Sequence, residues 1–154
     1  MSRLEVGTLA PSFSLVNQLG DRVTSAQLSG ERYVLYFYPA DDTPGCTTQA
    51  CGFNDELSAF RDVGVRILGV SPDDTASHVA FRAKYALGFD LLSDPTKTAM
   101  TAYGAYGEKM LYGKEVVGVI RSTFVVGPTG LLEHAWYGVR TKGHAQRVRA
   151  AIEG

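Results

Sequence analysis

The segment that most restricts the fold is Tyr33-Val34-Leu35-Tyr36-Phe37-Tyr38, followed at once by Pro39. Six consecutive apolar, β-prone residues suit a strand buried on both faces, the position of a central strand in a sheet covered by helices. Pro39 stops that strand because it has no N–H to offer a ladder. After Ala40-Asp41-Asp42, the pair Thr43-Pro44 reads as an N-cap with proline in the first helical position. Ala50, Phe53, Leu57 and Phe60 then recur at spacings of three and four, the apolar face of a helix lying on the sheet.

The same alternation continues. Val65 to Val70 reads as a second buried strand, and Ser71-Pro72-Asp73-Asp74 leads into a helical pattern through Val79, Phe81, Ala83 and Tyr85. Phe89 to Leu92 suits a short strand, after which Asp94-Pro95 opens a helix over roughly Thr98 to Tyr103. Val119 to Val126 and Leu131 to Tyr137, joined by Gly127-Pro128-Thr129-Gly130, predict an antiparallel hairpin, and His144 to Ile152 a closing helix. Near the start, Phe13 to Val16 and Arg22 to Thr24 flank the turn-forming Asn17-Gln18-Leu19-Gly20-Asp21, which predicts an N-terminal β-hairpin. The expected fold class is α/β: a thioredoxin-like fold with a central mixed β-sheet flanked by helices on both faces, preceded by that hairpin.

The 154 residues, 45% of them hydrophobic, suit a single domain over 1–154 with no linker or repeat. Fifteen Lys and Arg against sixteen Asp and Glu give a net charge of −1, which offers no field to attract a polyanion, so nucleic acid and anionic membrane are not expected partners. The apolar run Tyr33 to Tyr38 is far too short to cross a bilayer. Met1 to Ser14 carries one Arg and no apolar stretch of signal-peptide type, so a cytoplasmic location is expected. There, thiols are kept reduced, and a pair of cysteines calls for a reason other than a structural disulfide.

Those cysteines, Cys46 and Cys51, follow the Thr43-Pro44 helix start. Cys46 falls in the first helical turn, where unpaired N–H groups and the positive end of the helix dipole favour a thiolate over a thiol. Thr43, three residues earlier, can bring its hydroxyl to the sulfur or to what the sulfur attacks, and Gly45 leaves room for a substrate. A free cysteine is often only a small buried hydrophobe, but Cys46 lies off the apolar face marked by Ala50, Phe53 and Leu57. For Cys51, packing beside Ala50 and a chemical role are equally compatible with its position. Arg121 interrupts the apolar run Val119 to Val126: an alternating strand would leave it in solvent, whereas turned toward Cys46 it would place a fixed cation beside the sulfur. His78, His134 and His144 stand singly, so no zinc site is expected, and each reads as a surface residue or one supporting the site from behind. Arg140, Lys142, Arg147 and Arg149 read as a solvated face complementing the last turn of a helix.

At these residues the sequence resembles the peroxiredoxins, and within them the peroxiredoxin Q or bacterioferritin comigratory protein subfamily. The active-site pattern of proline, three residues, threonine, two residues and cysteine stands here as Pro39, Thr43 and Cys46, with the subfamily's second cysteine, five residues on, as Cys51. Gly7 to Phe13, Leu68 to Ser71, Leu91 to Asp94, Gly107 to Lys114 and the Arg121-Ser122-Thr123-Phe124 stretch match as well. One departure is Phe53-Asn54-Asp55, where related sequences commonly carry a basic residue. The resemblance implies a thiol peroxidase. Cys46 would be oxidised by a hydroperoxide to a sulfenic acid, with Thr43 orienting the peroxide, Arg121 holding the thiolate, Pro39 shielding the site and Gln49 fixing Arg121. Cys51 would resolve the sulfenic acid as an intramolecular disulfide, reduced in turn by thioredoxin or a glutaredoxin-like dithiol. No metal or organic cofactor is implied, and a monomer or weak homodimer is expected. A redox sensor, or a thioredoxin-like exchange protein without peroxidase turnover, are the alternative readings.

Overall fold

The structure, a computed structural model, describes residues 3–153; Met1, Ser2 and Gly154, the outermost residues of the expected domain, lie outside it. Its strands are β1 (Ser14–Val16), β2 (Arg22–Thr24), β3 (Arg32–Phe37), β4 (Val65–Ser71), β5 (Asp90–Ser93), β6 (Tyr106–Leu111), β7 (Lys114–Val119), β8 (Ser122–Val126) and β9 (Leu132–Tyr137). The helices are α1 (Pro44–Asp55), α2 (Leu57–Asp62), α3 (Thr75–Tyr85), α4 (Thr98–Ala102) and α5 (His144–Glu153).

Seven strands form one sheet in the order β2-β1-β5-β4-β3-β8-β9. β3 is central, parallel to β4 with Leu35 opposite Leu68, and antiparallel to β8 with Leu35 opposite Phe124. β4 and β5 are parallel, and β8 and β9 antiparallel, so the sheet is mixed as the element pattern requires. Strand periodicity sorts β3 between two cores. Tyr33, Leu35 and Phe37 pack with Met100, Tyr103 and Phe124 on one face. Val34, Tyr36 and Tyr38 pack on the other with Cys46, Ala50 and Phe53 of α1, Phe81 of α3 and Val148 of α5. Tyr36 stacks on Phe53 with ring centroids 4.7 Å apart. Its ring reaches across to β4, where Gly69 is required: a Cβ there would lie 2.9 Å from the Tyr36 hydroxyl.

Four elements depart from the sequence reading. The helix expected to run through Phe60 breaks at Glu56 into α1 and α2, although Ala50, Phe53, Leu57 and Phe60 are all buried. On α3 the buried residues are His78 and Phe81, while Val79 is exposed and Ala83 faces solvent, so the inward face lies about one residue from the one expected. The expected strand from Val119 to Val126 is divided at Ile120-Arg121, since Val119 ends β7 and Ser122 begins β8. Finally, β6 and β7 form a separate two-stranded ribbon that the sequence reading left without an element. Its residues alternate weakly, and its turn is made by Tyr112 and Gly113, both at positive φ. Among the described residues no helix is long and apolar enough to cross a membrane.

Candidate active site

β3 delivers the chain to one end of the sheet, and Pro39 to Thr43 turn it into α1. Thr43 takes the extended backbone of an N-cap, with Pro44 at the first helical position. Its hydroxyl does not cap the helix. It donates instead to the Ala40 carbonyl at 3.0 Å, so the side chain closes the loop on itself. Thr47 N bonds back to Thr43 O at 2.8 Å and starts the helical ladder. Cys46 then falls in the first turn, but not off the apolar face as expected: it is only 1% exposed and belongs to the same buried cluster as Ala50, Phe53 and Leu57, because the first turn of α1 already lies against the sheet.

Arg121 comes from the opposite side of the site. The chain is pinned where β7 gives way to β8: Ile120 N donates to Ala105 O at 2.6 Å, and Val139 N donates to Arg121 O at 3.0 Å. The guanidinium therefore turns inward instead of taking the solvent-facing place that alternation offers. Its Nη2 donates to Cys46 Sγ at 3.3 Å and its Nη1 to Gln49 Oε1 at 2.7 Å. Gln49 is one turn beyond Cys46 on α1 and equally buried, so one helix supplies both partners of the fork. Gly45 is needed for this approach, because a Cβ there would sit 3.2 Å from Nη2 and 3.9 Å from the methyl of Thr141. The sulfur thus faces a fixed cation at the positive end of a helix.

Cys51 is half-buried on the same helix, and both cysteines are free thiols. Burial, and secondarily the Asp55 carboxylate, push the Cys51 thiol up, so it stays protonated where Cys46 is placed beside a cation. Asn54, in the stretch where the chain departs from related sequences, ties α1 to the loop after α3: its amide donates to Ala86 O at 3.1 Å and accepts from Gly88 N at 2.8 Å. Pro39 is exposed, two residues beyond the end of β3 at Phe37.

The other candidates are placed differently from the sequence reading. Of the two places read for each histidine, His78 and His144 do not take the surface one: both are buried, His78 completely. His144 begins α5, accepts from or donates to Thr123 Oγ1 at 2.8 Å, and lies edge-on to Phe53. The basic residues do not complement a last helical turn, because Arg140 and Lys142 precede α5 and Arg147 in its first turns donates to both of their carbonyls. Arg149 pairs with Glu56 and Glu153. Among the described residues, no cluster of three His, Cys, Asp or Glu side chains could hold a metal ion. Sequence reasoning passed over Asp41 altogether. Its only local signal was a Tyr-x-x-Asp spacing, which now appears as a 2.6 Å bond from the Tyr38 hydroxyl.

The chain as a whole is similar to a known group. Residues 6–135 match the AhpC/TSA family model. The chain belongs to the AhpC/TSA family. This peroxiredoxin is 48% identical over 148 residues to a putative peroxiredoxin of Mycobacterium tuberculosis, covering 96% of this chain and 94% of that protein. It is 38% identical over 144 residues to peroxiredoxin Bcp of Escherichia coli K12, covering 94% and 92%. Among solved structures, a bacterioferritin comigratory protein of Xanthomonas campestris, studied for alkyl peroxide reduction with trapped intermediate and ligand complexes, superposes with a TM-score of 0.86 at 41% identity, covering 92% of this chain and 90% of that one. A cysteine-to-serine mutant of Xylella fastidiosa PrxQ gives 0.91 at 34% identity, covering 99% and 98%. The thioredoxin-like fold and a thiol-dependent peroxidase activity follow from this membership.

Proposed function

We propose that the chain reduces hydrogen peroxide and organic hydroperoxides at Cys46, with Cys51 as the resolving thiol and a thioredoxin-type dithiol as reductant. The observation that carries this reading is the 3.3 Å contact between Arg121 and a buried sulfur in the first turn of α1. Cys46, as thiolate, attacks the hydroxyl-bearing oxygen of ROOH. A sulfur–oxygen bond forms, the oxygen–oxygen bond breaks, and RO⁻ leaves to be protonated to the alcohol, or to water when R is hydrogen. Arg121 sits where negative charge begins on sulfur and ends on the leaving oxygen, and its planar fork keeps it there through Gln49. Thr43, whose hydroxyl proton is given to Ala40 O, faces the substrate as a hydrogen-bond acceptor, which suits the O–H of a hydroperoxide. Pro39 shapes the loop that follows β3 by fixing its own backbone.

In the second half-reaction the Cys51 thiol attacks the sulfenic sulfur, releasing water and forming the Cys46–Cys51 disulfide. Exchange with an external dithiol restores both thiols and leaves the reductant oxidised. Cytoplasmic residence as a monomer or weak homodimer completes the reading, since a reducing compartment supplies that dithiol. The test is a coupled assay with thioredoxin, thioredoxin reductase and NADPH. Cys46→Ser abolishes peroxide consumption, whereas Cys51→Ser gives one stoichiometric oxidation and a sulfenic acid trapped by a dimedone-type probe. Undiminished turnover of Cys46→Ser overturns the assignment.

A further inference from the structure

Asp41 and His78 are buried, ionisable and unused by the chemistry above. The side chain of His78 is fully buried and that of Asp41 is 4% exposed. His78 Nδ1 lies 2.7 Å from Asp41 Oδ2, and Nε2 lies 3.0 Å from the Leu92 carbonyl of β5. A carbonyl can only accept, so Nε2 carries a proton; the Nδ1 contact needs another, held by the ring or by the carboxyl. The couple is therefore neutral overall, as a buried pair must be to avoid an uncompensated charge. Two further donors complete the Asp41 carboxylate: the Tyr38 hydroxyl at 2.6 Å on Oδ1 and the Ser77 hydroxyl at 2.8 Å on Oδ2. Burial pushes Tyr38 well above its ordinary value, which keeps it a donor.

With its side chain anchored on His78, Asp41 also has its backbone in reach of a second partner. Its N–H donates to Asp73 Oδ2 at 2.7 Å, and that oxygen also accepts from Ser71 Oγ at 2.7 Å. The Asp41 N–H and the Ala40 carbonyl belong to one planar peptide unit and point in opposite directions. Fixing the N–H on Asp73 thus aims the Ala40 carbonyl the other way, and it is this carbonyl that receives the Thr43 hydroxyl proton. With the carbonyl displaced, that proton would be free to turn toward the substrate pocket, and Thr43 would offer a donor where an acceptor is required.

We propose that Asp41 and His78 are positioning residues for peroxide reduction, locking the Ala40–Asp41 peptide so that Thr43 presents a lone pair to the hydroperoxide. This rests on the reading of Thr43 and Cys46 given above. The ties come from four sides: Tyr38 just after β3, Asp73 just after β4 with Ser71 behind it, Ser77 and His78 of α3, and Leu92 of β5.

The test is a double-mutant cycle on single-turnover oxidation by hydrogen peroxide, with alkylation of reduced Cys46 by iodoacetamide as a control reaction that needs no acceptor at Thr43. His78→Leu lowers the second-order rate with peroxide about ten- to hundredfold, the size of effect that slight misplacement of a reacting group produces, and leaves alkylation within about twofold. In a Thr43→Val background, His78→Leu has little further effect on the peroxide rate. Ser71→Ala, a milder change that removes one donor from Asp73, shows the same pattern at smaller size and serves if His78→Leu does not fold. Equal losses from His78→Leu with and without Thr43, or parallel losses in peroxide reduction and alkylation, overturn the proposal and leave the couple a support of the fold. Failure of the parent protein itself to oxidise Cys46 would instead overturn the peroxidase reading.

Discussion

Forming the Cys46–Cys51 disulfide requires α1 to come apart, and the structure allows the cost to be worked out. Positions five apart in a continuous helix differ by about 7.5 Å along the axis and about 140° around it, which separates their Cα atoms by about 8.7 Å. A disulfide spans at most about 7 Å. Unwinding must therefore reach from Thr43 to about Phe53, and it takes Phe53 from its packing on Tyr36 and Phe60 and Ala50 from the core, both being fully buried. Exposing these two side chains costs about 3 to 4 kcal/mol, so the open segment is populated on the order of once in several hundred molecules when reduced. Gly52 lowers that cost. Alanine at this position fits, since its Cβ would rest 3.6 Å from that of Ala145, and it favours the helix by about 1 kcal/mol. Gly52→Ala should then slow disulfide formation about fivefold while leaving the first oxidation of Cys46 unchanged. Rapid-mixing measurements of the two phases, together with amide exchange of residues 46 to 54 in the reduced and disulfide forms, check both statements. Equal protection in the two forms, or a Gly52→Ala variant that resolves at the parental rate, would refute the reasoning.

Arg121→Ala removes both the 3.3 Å contact to Cys46 and the partner of Gln49; a loss of about 2 to 4 kcal/mol in transition-state stabilisation is expected, read as kcat/KM for peroxide, with Arg121→Lys recovering only part of it. A loss below about threefold would make Arg121 a packing residue. His144 gives a stability effect with a definite sign: burial, then Arg147 and Arg121, hold it down to about 4, against about 6.5 in an unfolded chain. The unfolded chain binds the proton more readily, so its contribution is complete above about pH 6.5 and falls away toward pH 4, by about 3 kcal/mol in all. His144→Gln should flatten the pH dependence of denaturant unfolding across that window, and an unchanged slope would show that His144 is not the group responsible.

The part of the fold that was legible in the sequence is the part with strong periodicity. β3 announces itself because both faces are buried, and its register then places the β4 and β8 partners at its sides. The inward face of α3 was missed because its central contact is a histidine: a buried His78 is inconspicuous when apolar spacing is the guide, and Val79 beside it draws attention to the wrong stripe. The break at Glu56 was missed for a related reason. The apolar spacing continues straight through it, and only the backbone shows that α2 is a separate turn. In the β6–β7 ribbon, neither face is covered well enough to impose alternation, so there was no pattern to read.

The site divides in the same way. Thr43, Cys46 and Gln49 come from one segment, where helical spacing alone brings them together, whereas Arg121 arrives from 75 residues away and its direction depends on two backbone bonds at a strand break. Still less legible is the orientation of a single peptide plane, yet the role of Thr43 depends on it. These restraints are unevenly spread around the segment that must move. On its N-terminal side, Asp41 is held by His78, Tyr38 and Ser77, while Asp42 is bonded to Lys84 and Tyr85. On its C-terminal side the helix contains Gly52 and ends at Glu56. The ties on Asp41 and Asp42 lie before Thr43, outside the segment that must unwind, so the loop leading into α1 stays held while the helix opens. What must give way is the burial of Phe53 and the two bonds of Asn54, with Gly52 between Cys51 and Phe53 as the residue least suited to a helix.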